Sequence, residues 1–363
     1  MKFAVVSENN TLLVREVTEE INKAHKDITL SVYAPNADVQ DKAFKGILSD
    51  NLSECIKNSD VIINLIGIRQ TFSSDYQQLN DKYNIDIFNA KSSMEMIRCF
   101  DILSCLDSFA DALSKSKSKA LILNAGEPSD IITGYLYKEH NITSYGVSRK
   151  TENVIDNLLS EAGMDKLKGK LNYKMSGLNN MLWITEMKDK KGKDVYPSVK
   201  DKFADIEMNV RRIDLLQDGA RSLKFFGYYH SGGIQPEDIF CALMRIINII
   251  VSGEKAEIYL NAINSKSIRE LDSEAVVLIP FTLEGISLTR EDVEMPLICV
   301  LASADYASAV SLAVKTLSMH SAEIFRRTIK LDPYLASLLT LKELSALADE
   351  IIAIERINFK ELL

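Results

Sequence analysis

The chain has 363 residues, of which 46% are hydrophobic and 26% are charged, and these proportions favour a folded globular protein over a disordered one. Its length fits one large or two medium domains. The formal net charge is −8, and an acidic surface repels phosphate backbones, so we expect no nucleic-acid partner. We expect no membrane partner, because the most apolar run, ALMRIINIIV, is short and contains Arg245.

The N-terminus and the cysteines predict the cellular compartment. The first residues, MKFAVVSE, lead directly into a strand-like pattern without the basic region, apolar core and cleavage site of a signal peptide. The five cysteines are scattered and form no CxxC pair. We therefore predict a cytoplasmic protein whose thiols are buried and reduced.

Continuous apolar runs alternate with helical patterns along the first half of the chain. The strand-like runs are FAVVS (3–7), ITLSVYA (28–34), SDVIINLIG (59–67), KALILNAG (119–126) and ITSYGVS (142–148). Helical patterns lie between them, the longest at 94–114. Apolar strands separated by helices indicate a parallel sheet covered on both faces. We predict an α/β, Rossmann-like doubly wound domain over residues 1–150.

The second half has a different pattern. Alternating residues and turn signals at 169–197 predict a strand hairpin, with KDKKGK at a solvated tip. Long helical segments follow at 236–253, 301–319 and 339–357, and a strand-like run lies at 274–281. We predict an α+β domain for substrate binding or oligomerisation over residues 151–363.

The turn after the first strand lacks the glycines of a dinucleotide-binding loop. The strand leads into SENNTLL, and the chain has no glycine before Gly46. Ser7, Asn9 and Asn10 are the candidate cofactor-binding residues there, but asparagine side chains would occupy the space that a pyrophosphate needs. The pattern leaves two interpretations open, a dinucleotide held in an unusual way or a fold that has kept its sheet and lost its ligand.

The order of motifs along the chain carries a family resemblance. SDVIINLIG, a helix with Arg98, NAGEPSDIIT, SYGVSRKTEN, GLNNMLW and KDVYP follow one another. This order resembles the NAD- and manganese-dependent glycoside hydrolases of family four, the 6-phospho-α- and β-glucosidases, over nearly the whole chain. The resemblance implies a fold shared with lactate and malate dehydrogenases, a phosphosugar ligand and a homo-oligomer, either a dimer or a tetramer.

The resemblance also implies a reaction. In that family NAD takes a hydride from the sugar, a tyrosine removes the neighbouring proton, and Mn²⁺ stabilises the enediolate before the aglycone leaves. Tyr228 and Tyr229 lie roughly where the family's catalytic tyrosine is found. The alternative for this pair is a core or interface role, which is common for adjacent aromatic residues.

Both metal-ligand positions of the family are changed. In GLNNMLW, Asn179 matches the substrate-contacting asparagine, whereas Asn180 stands where the metal-binding histidine would be. Ser148 stands where the metal-binding cysteine would be. An amide and a hydroxyl are poorer ligands for such a metal than imidazole and thiolate. For Asn179 and Asn180, a role at a strand end with hydrogen bonds to the backbone is the alternative.

The substrate turn is also changed. Glu127 occupies the asparagine position of the family's Asn-Pro turn, and its alternative role is at a helix start with Pro128 as the first residue. Arg98 matches the arginine that positions the phosphosugar, but the glycine-rich run before it has become AKSS. A surface ion pair with Glu95 is the alternative for Arg98.

The sequence thus differs from the family pattern at three linked places: the cofactor turn, the metal ligands and the substrate turn. The first hypothesis is a 6-phospho-β-glucosidase-like protein that is divergent or catalytically degenerate and still binds a sugar phosphate. The second is an active 6-phosphoglycosidase that uses NAD and a divalent metal at an atypical site. A dehydrogenase is ranked last, because the chain lacks both the glycine loop and a clear Asp-His pair.

Overall fold

The computed structural model describes most of the chain. The described residues are 1–8, 12–25, 27–35, 44, 47–67, 74–88, 92–147, 151–179, 181–195, 197–199, 226–228 and 236–359.

The apolar runs of the first half form the parallel part of one sheet. These strands are β1 (Lys2–Val6), β2 (Thr29–Tyr33), β3 (Val61–Asn64), β4 (Leu121–Asn124) and β5 (Tyr145–Gly146). They lie in the order β2-β1-β3-β4-β5, and every pair among them is parallel. All four residues of β3 are buried, as expected for a strand covered on both faces. The predicted doubly wound parallel sheet is confirmed.

Helices connect these strands. They are α1 (Leu12–Ala24), α2 (Leu52–Ile56), α3 (Ser74–Tyr83), α4 (Glu95–Cys99), α5 (Leu103–Ser116), α6 (Ser129–His140) and α7 (Thr151–Glu161). The helical stretch predicted at 94–114 is confirmed, but it is not one regular α-helix, because a 3-10 turn at Phe100–Ile102 separates α4 from α5. No glycine or proline marks this break, so periodicity alone could not indicate it.

The second half extends the same sheet with antiparallel strands. They are β6 (Leu171–Leu178), β7 (Met181–Asp189), β8 (Phe226–Tyr228), β9 (Lys255–Ile263), β10 (Val276–Glu284) and β11 (Ser287–Arg290). The order continues from β5 as β9-β10-β6-β7-β8, and the sheet has eleven strands in total. The hairpin of this region is β6 and β7, and Asn179 follows β6 at its turn. The tip predicted at KDKKGK is wrong for this hairpin, because KDKKGK lies at the far end of β7. There it forms a second, shorter turn, in which the N–H of Asp189 donates to the carbonyl oxygen of Lys193 at 3.0 Å.

The outer edge of β10 is shared by two strands. β6 pairs with β10 at Gly177 and Leu278, and β11 pairs with it from Phe281 onwards. Pro280 lies between these two stretches and has no N–H to donate to a neighbouring strand. Its carbonyl oxygen accepts from the backbone N–H of Glu291 at 3.2 Å. Strand pairing therefore passes from β6 to β11 at the proline.

The remaining helices cover the sheet. They are α8 (Pro236–Ser252), α9 (Leu297–Met319), α10 (Ala322–Leu331), α11 (Pro333–Leu338) and α12 (Leu341–Ile354). α9 packs against α6 and α10, and α10 packs against α12. No helix in the described ranges is both long and apolar enough to cross a membrane.

Three of the five cysteines are buried as predicted. They are Cys55, Cys99 and Cys299, whereas Cys105 is half-buried and Cys241 is exposed, which corrects the expectation for these two. One large buried cluster contains residues of both halves of the chain, and a smaller one lies between α7, β6 and β7. The division into domains at residue 150 stays a prediction.

Candidate functional site

Two turns that follow neighbouring parallel strands are in direct backbone contact. Gly67 follows β3, and Gly126 follows β4. A Cβ atom at Gly126 would lie 2.0 Å from the carbonyl oxygen of Ile66, and one at Gly67 would lie 2.8 Å from the backbone nitrogen of Glu127. Neither position has room for a side chain. The contact holds Glu127 at the carboxyl edge of the sheet, where ligands bind in doubly wound folds.

A buried polar network joins the ends of these two strands. β3 and β4 both end in asparagine, and their register places Asn64 opposite Asn124. Asn64 Nδ2 donates to Asn124 Oδ1 at 3.1 Å, and Asn64 Oδ1 accepts from the N–H of Ile66 at 3.1 Å. Asn124 Nδ2 donates to Thr133 Oγ1 at 3.0 Å and to Ser144 Oγ at 2.8 Å. These neutral groups therefore satisfy one another and hold α6 against the strand ends.

A second polar group lies around Asn261, in the C-terminal part of β9. Asn261 is opposite Gly146 of β5, where a Cβ atom would lie 2.8 Å from the Cβ of Asn261. Its Nδ2 donates to Ser129 Oγ at 3.2 Å and to Asn179 Oδ1 at 3.3 Å. Asn261 is fully buried, and its Oδ1 accepts no hydrogen bond from the described residues. One acceptor thus remains for a hydroxyl or amide of a ligand, or for water.

A charged cluster lies at the start of α6. Arg98 Nη1 is 3.5 Å from Glu95 Oε1, and the side chains are only 11% and 23% exposed. The predicted alternative of an ion pair is confirmed, but the pair is largely buried rather than on the surface. Burial raises the pKa of Glu95 to about 7 although Arg98 opposes the shift, and burial raises the pKa of Asp130 to about 6. The carboxyl groups of Glu95 and Asp130 therefore exchange protons close to neutral pH, and the positive guanidinium of Arg98 lies beside Glu95.

The structure places five of the predicted site residues. Asn179 belongs to the group around Asn261, and Glu127 lies in the turn at the same edge. Ser7 directly follows β1, and its backbone N–H donates to the carbonyl oxygen of Tyr33 at 2.9 Å. Arg98 lies in the charged cluster. Tyr228 ends β8, and its backbone is opposite Leu182 of β7. The positions of these five residues do not show what the residues bind or catalyse, so their functional roles stay predictions.

The other predicted site residues lie outside the described ranges. They are Asn9, Asn10, Ser148, Asn180 and Tyr229. The predicted helix start after Glu127 differs by one residue, since α6 begins at Ser129 and Pro128 precedes it. The peptide bond between Glu127 and Pro128 is cis.

Several buried residues of the site were missed by sequence analysis. They are Asn64, Asn124, Asp130, Ser144 and Asn261. A signal existed for the first two, because VIIN and LILN both end an apolar strand in asparagine, and parallel strand ends meet at one edge. No local pattern indicated Asn261, which lies 82 residues from its partner Asn179.

The described residues at this edge do not fit the cofactors that the resemblance implies. Carboxylate oxygens suit Mn²⁺, whereas the side chains of Ser129, Asn179 and Asn261 are neutral and bonded to one another. No three His, Cys, Asp or Glu side chains come together in the described ranges in a way that could hold a metal. At the first turn, the N–H of Ser7 is used by Tyr33 and is not available to a pyrophosphate. We therefore derive no catalytic step through NAD or metal.

A separate cleft of about 500 Å³ opens between α7, β6 and β9. Tyr173 and Tyr259 line it with rings stacked at 6.3 Å, and acidic and basic side chains surround them. The cleft contains none of the predicted site residues. It lies at the opposite end of β6 from Asn179.

Solved structures show the same fold along nearly the whole chain. A 6-phospho-α-glucosidase from gut microorganisms, in complex with NAD and Mn²⁺, has a TM-score of 0.71 at 12% identity, covering 100% of this chain and 99% of that one. A 6-phospho-β-glucosidase from Thermotoga maritima, with NAD and glucose 6-phosphate, has a TM-score of 0.66 at 15% identity, covering 99% and 100%. The chain has the fold of the 6-phosphoglucosidases.

The fold of a malate dehydrogenase is less similar to this chain than the folds of the two phosphoglucosidases. The enzyme from Aeropyrum pernix has a TM-score of 0.54 at 12% identity, covering 87% of this chain and 98% of that one. No protein-family model and no curated protein matches the sequence. The predicted architecture, a Rossmann-like sheet followed by an α+β region of the dehydrogenase and phosphoglucosidase type, is confirmed. Identities this low show the fold and leave the activity to experiment.

Proposed function

We propose that this protein binds a sugar phosphate on a phosphoglucosidase-like scaffold and does not hydrolyse it. The observation that carries the proposal is the neutral floor formed by Ser129, Asn179 and Asn261 at the carboxyl edge of the sheet. Its spare acceptor, Asn261 Oδ1, suits a sugar hydroxyl. The floor supplies hydrogen bonds for recognition and no charged group that would activate water or a leaving oxygen.

Arg98 is the phosphate-binding residue in this proposal. A guanidinium group binds phosphate oxygens through two parallel hydrogen bonds. Its partner Glu95 is 3.5 Å away, which is long for a charge-assisted hydrogen bond, and its pKa of about 7 leaves it partly protonated at neutral pH. A phosphate group can therefore compete with Glu95 for the guanidinium.

The alternative is an active 6-phosphoglucosidase. Its support is that similar folds were solved with NAD, Mn²⁺ and glucose 6-phosphate. In that case NAD and Mn²⁺ bind, Ser7, Asn9 and Asn10 form an unusual cofactor turn, and Ser148 and Asn180 contact the metal. Tyr228 or Tyr229 then supplies the base, and Glu127 contacts the substrate.

The surroundings of the site support two further parts of the proposal. Leu297 and Leu301 lie one turn apart on α9 and are 59% and 63% exposed, which fits a contact between copies in a dimer or tetramer. Sugar phosphates are handled inside cells, so we propose a cytoplasmic location.

Titration calorimetry with glucose 6-phosphate, unmodified glucose, NAD and Mn²⁺ tests the proposal. We expect saturable binding of glucose 6-phosphate, no heat with NAD, and an affinity at least about tenfold weaker in Arg98→Lys, which keeps the charge and loses the paired hydrogen bonds. The matched control is Arg326→Lys, because Arg326 makes an exposed ion pair with Asp349 at 2.8 Å.

The possible results separate the two functions. Equal affinities of the wild type and Arg98→Lys for glucose 6-phosphate would contradict the role of Arg98. NAD binding that Mn²⁺ strengthens, together with release of the aglycone from a 6-phosphoglucoside, would establish the active enzyme instead.

A further inference from the structure

A buried carboxylate links the C-terminal helices to the segment that carries Arg98. Asp332 is fully buried in front of α11. Its Oδ2 accepts from Ser92 Oγ at 3.1 Å, from the N–H of Ser93 at 2.6 Å and from Ser93 Oγ at 2.7 Å. Its Oδ1 accepts from the N–H of Leu335 at 2.9 Å and so caps α11. One side chain therefore joins parts of the chain about 240 residues apart.

Three donors on one carboxylate oxygen are more than a helix cap requires. Thr340, which caps the neighbouring α12, shows the ordinary arrangement. Its Oγ1 accepts from the N–H of Glu343 at 3.3 Å, and the Glu343 carboxylate accepts from the N–H of Thr340 at 2.8 Å. Those hydrogen bonds stay within one helix end. Asp332, in contrast, accepts three further hydrogen bonds from Ser92 and Ser93, which hold the segment formed by these two residues.

The held segment continues directly into α4. Ser92 Oγ accepts from the N–H of Met94 at 3.1 Å, and the carbonyl oxygen of Ser93 accepts from the N–H of Met96 at 3.2 Å. α4 continues through the 3-10 turn into α5, but its first turn has no side-chain cap at Met94. The amides of an uncapped first turn need partners outside the helix. The place of the start of α4, and of Arg98 one turn further on, therefore depends on the contacts of Ser92 and Ser93.

We propose that Asp332 is a positioning residue for Arg98, through which the C-terminal helices set the affinity for the phosphate of a sugar phosphate. The inference rests on the proposed function for the ligand. It also explains why serines stand in the AKSS run, since their hydroxyls supply two of the three donors to Asp332 Oδ2. Asp332 acts only through Ser92 and Ser93.

Asp332→Asn separates the two tasks of the carboxylate. An amide has one acceptor oxygen and one donor nitrogen, so it can either cap α11 or accept from Ser92 and Ser93. Ser93→Ala is a milder second variant that removes one donor and keeps the backbone N–H. Thr340→Ala is the matched control, because it removes the cap of a neighbouring helix without touching residues 92 and 93.

Binding of glucose 6-phosphate is measured by calorimetry in these variants alone and combined with Arg98→Lys. We expect Asp332→Asn to weaken binding at least about tenfold, Ser93→Ala to weaken it less, and Thr340→Ala to leave it within about twofold. In the Arg98→Lys background Asp332→Asn should have little further effect, because both changes act on one contact. The inference would be overturned if the losses of binding free energy in Asp332→Asn and Arg98→Lys were fully additive. It would also be overturned if Asp332→Asn and Thr340→Ala lost equal affinity for glucose 6-phosphate.

Hydrogen exchange of the backbone amides at 93–99 distinguishes this inference from the proposed function. Absence of sugar-phosphate binding in the wild type would refute the proposed function alone. Exchange should then still be at least about tenfold faster in Asp332→Asn than in Thr340→Ala at these amides. Equal exchange in the two variants would show that Asp332 does not position the segment.

Discussion

The side-chain amide of Asn261 donates to the carboxamide oxygen of Asn179 at 3.3 Å, which joins the connection between β6 and β7 to the C-terminal part of β9. Beside this bond, β6 pairs with β10 at Gly177 and Leu278. A buried carboxamide therefore fixes the position of a residue that sequence analysis assigned to ligand contact.

Asn261→Ala should destabilise the protein and weaken sugar-phosphate binding together. The change leaves Ser129 and Asn179 without their donor in a buried place, which costs about 1–3 kcal/mol in the free energy of unfolding. Urea unfolding measures this cost. The control is Asn248→Ala, since Asn248 is exposed on α8. If Asn261→Ala and Asn248→Ala lowered the free energy of unfolding equally, the hydrogen bonds of the Asn261 carboxamide would not stabilise the protein.

Gly126→Ala should be far more damaging than an ordinary glycine replacement. Its Cβ would lie 2.0 Å from the carbonyl oxygen of Ile66, so the turns after β3 and β4 must separate, at a cost above about 4 kcal/mol. The control is Gly163→Ala, at a left-handed position with φ of 67° and no atom within 4 Å, where strain alone costs about 1–2 kcal/mol. Chemical unfolding of both variants tests the difference, and similar values would contradict the close contact.

Glu95→Gln should remove part of the pH dependence of stability. Burial raises the folded-state pKa of Glu95 from 4.5 to about 7, so between these values the folded protein binds more protons than the unfolded chain. Wild-type stability should therefore fall as pH rises from 4.5 to 7 because of this group, by about 3 kcal/mol. Asp130 and Arg98 are present in both proteins, so their contributions largely cancel in the difference.

Urea unfolding of the wild type and Glu95→Gln at intervals between pH 4.5 and 8 measures this effect. The stability of the variant relative to the wild type should increase with pH over that range. Glu323→Gln is the control, because Glu323 makes an exposed pair with Arg327 at 3.0 Å. Parallel curves for the wild type and Glu95→Gln would mean that the carboxyl group titrates at its ordinary pKa.

Introducing the two metal ligands that the resemblance implies should create metal binding. Ser148→Cys together with Asn180→His supplies the thiolate and imidazole that the resemblance implies. We expect Mn²⁺ to raise the thermal midpoint of the double variant by several degrees and to leave the wild type unchanged, since a ligand that binds only the folded state stabilises it. Ser148→Cys alone is the control. An equal rise in the wild type would favour the active enzyme.

The fold could be predicted because its signals are local. Continuous apolar runs such as VIINLIG and ALILNAG identify buried parallel strands without further information. The break between α4 and α5 could not be predicted, because Phe100 and Ile102 continue the apolar pattern of a helix. Tertiary packing decides such a break, and the sequence around it carries no glycine or proline.

The candidate site was predicted only where one motif contains the residue. Asn179 and Arg98 were found from their motifs, whereas Asn261 and Asp332 were missed because their partners are distant in sequence. Buried polar residues of this kind have no periodicity, and their role depends on which groups the fold brings within hydrogen-bond distance.

The change of pairing partner along the outer edge of β10, from β6 to β11, has a consequence for the cooperativity of unfolding. Because the described residues of β6 pair with β10 at a single position, Gly177 and Leu278, few backbone hydrogen bonds join the β6–β7 hairpin to β10, through which it is connected to the parallel strands. Partial opening of the protein should therefore begin at this seam, with the hairpin separating while β1, β3 and β4 stay paired. The first amides to exchange in β6 should then be those farthest from Gly177. Sugar-phosphate binding at Asn179 would slow that opening.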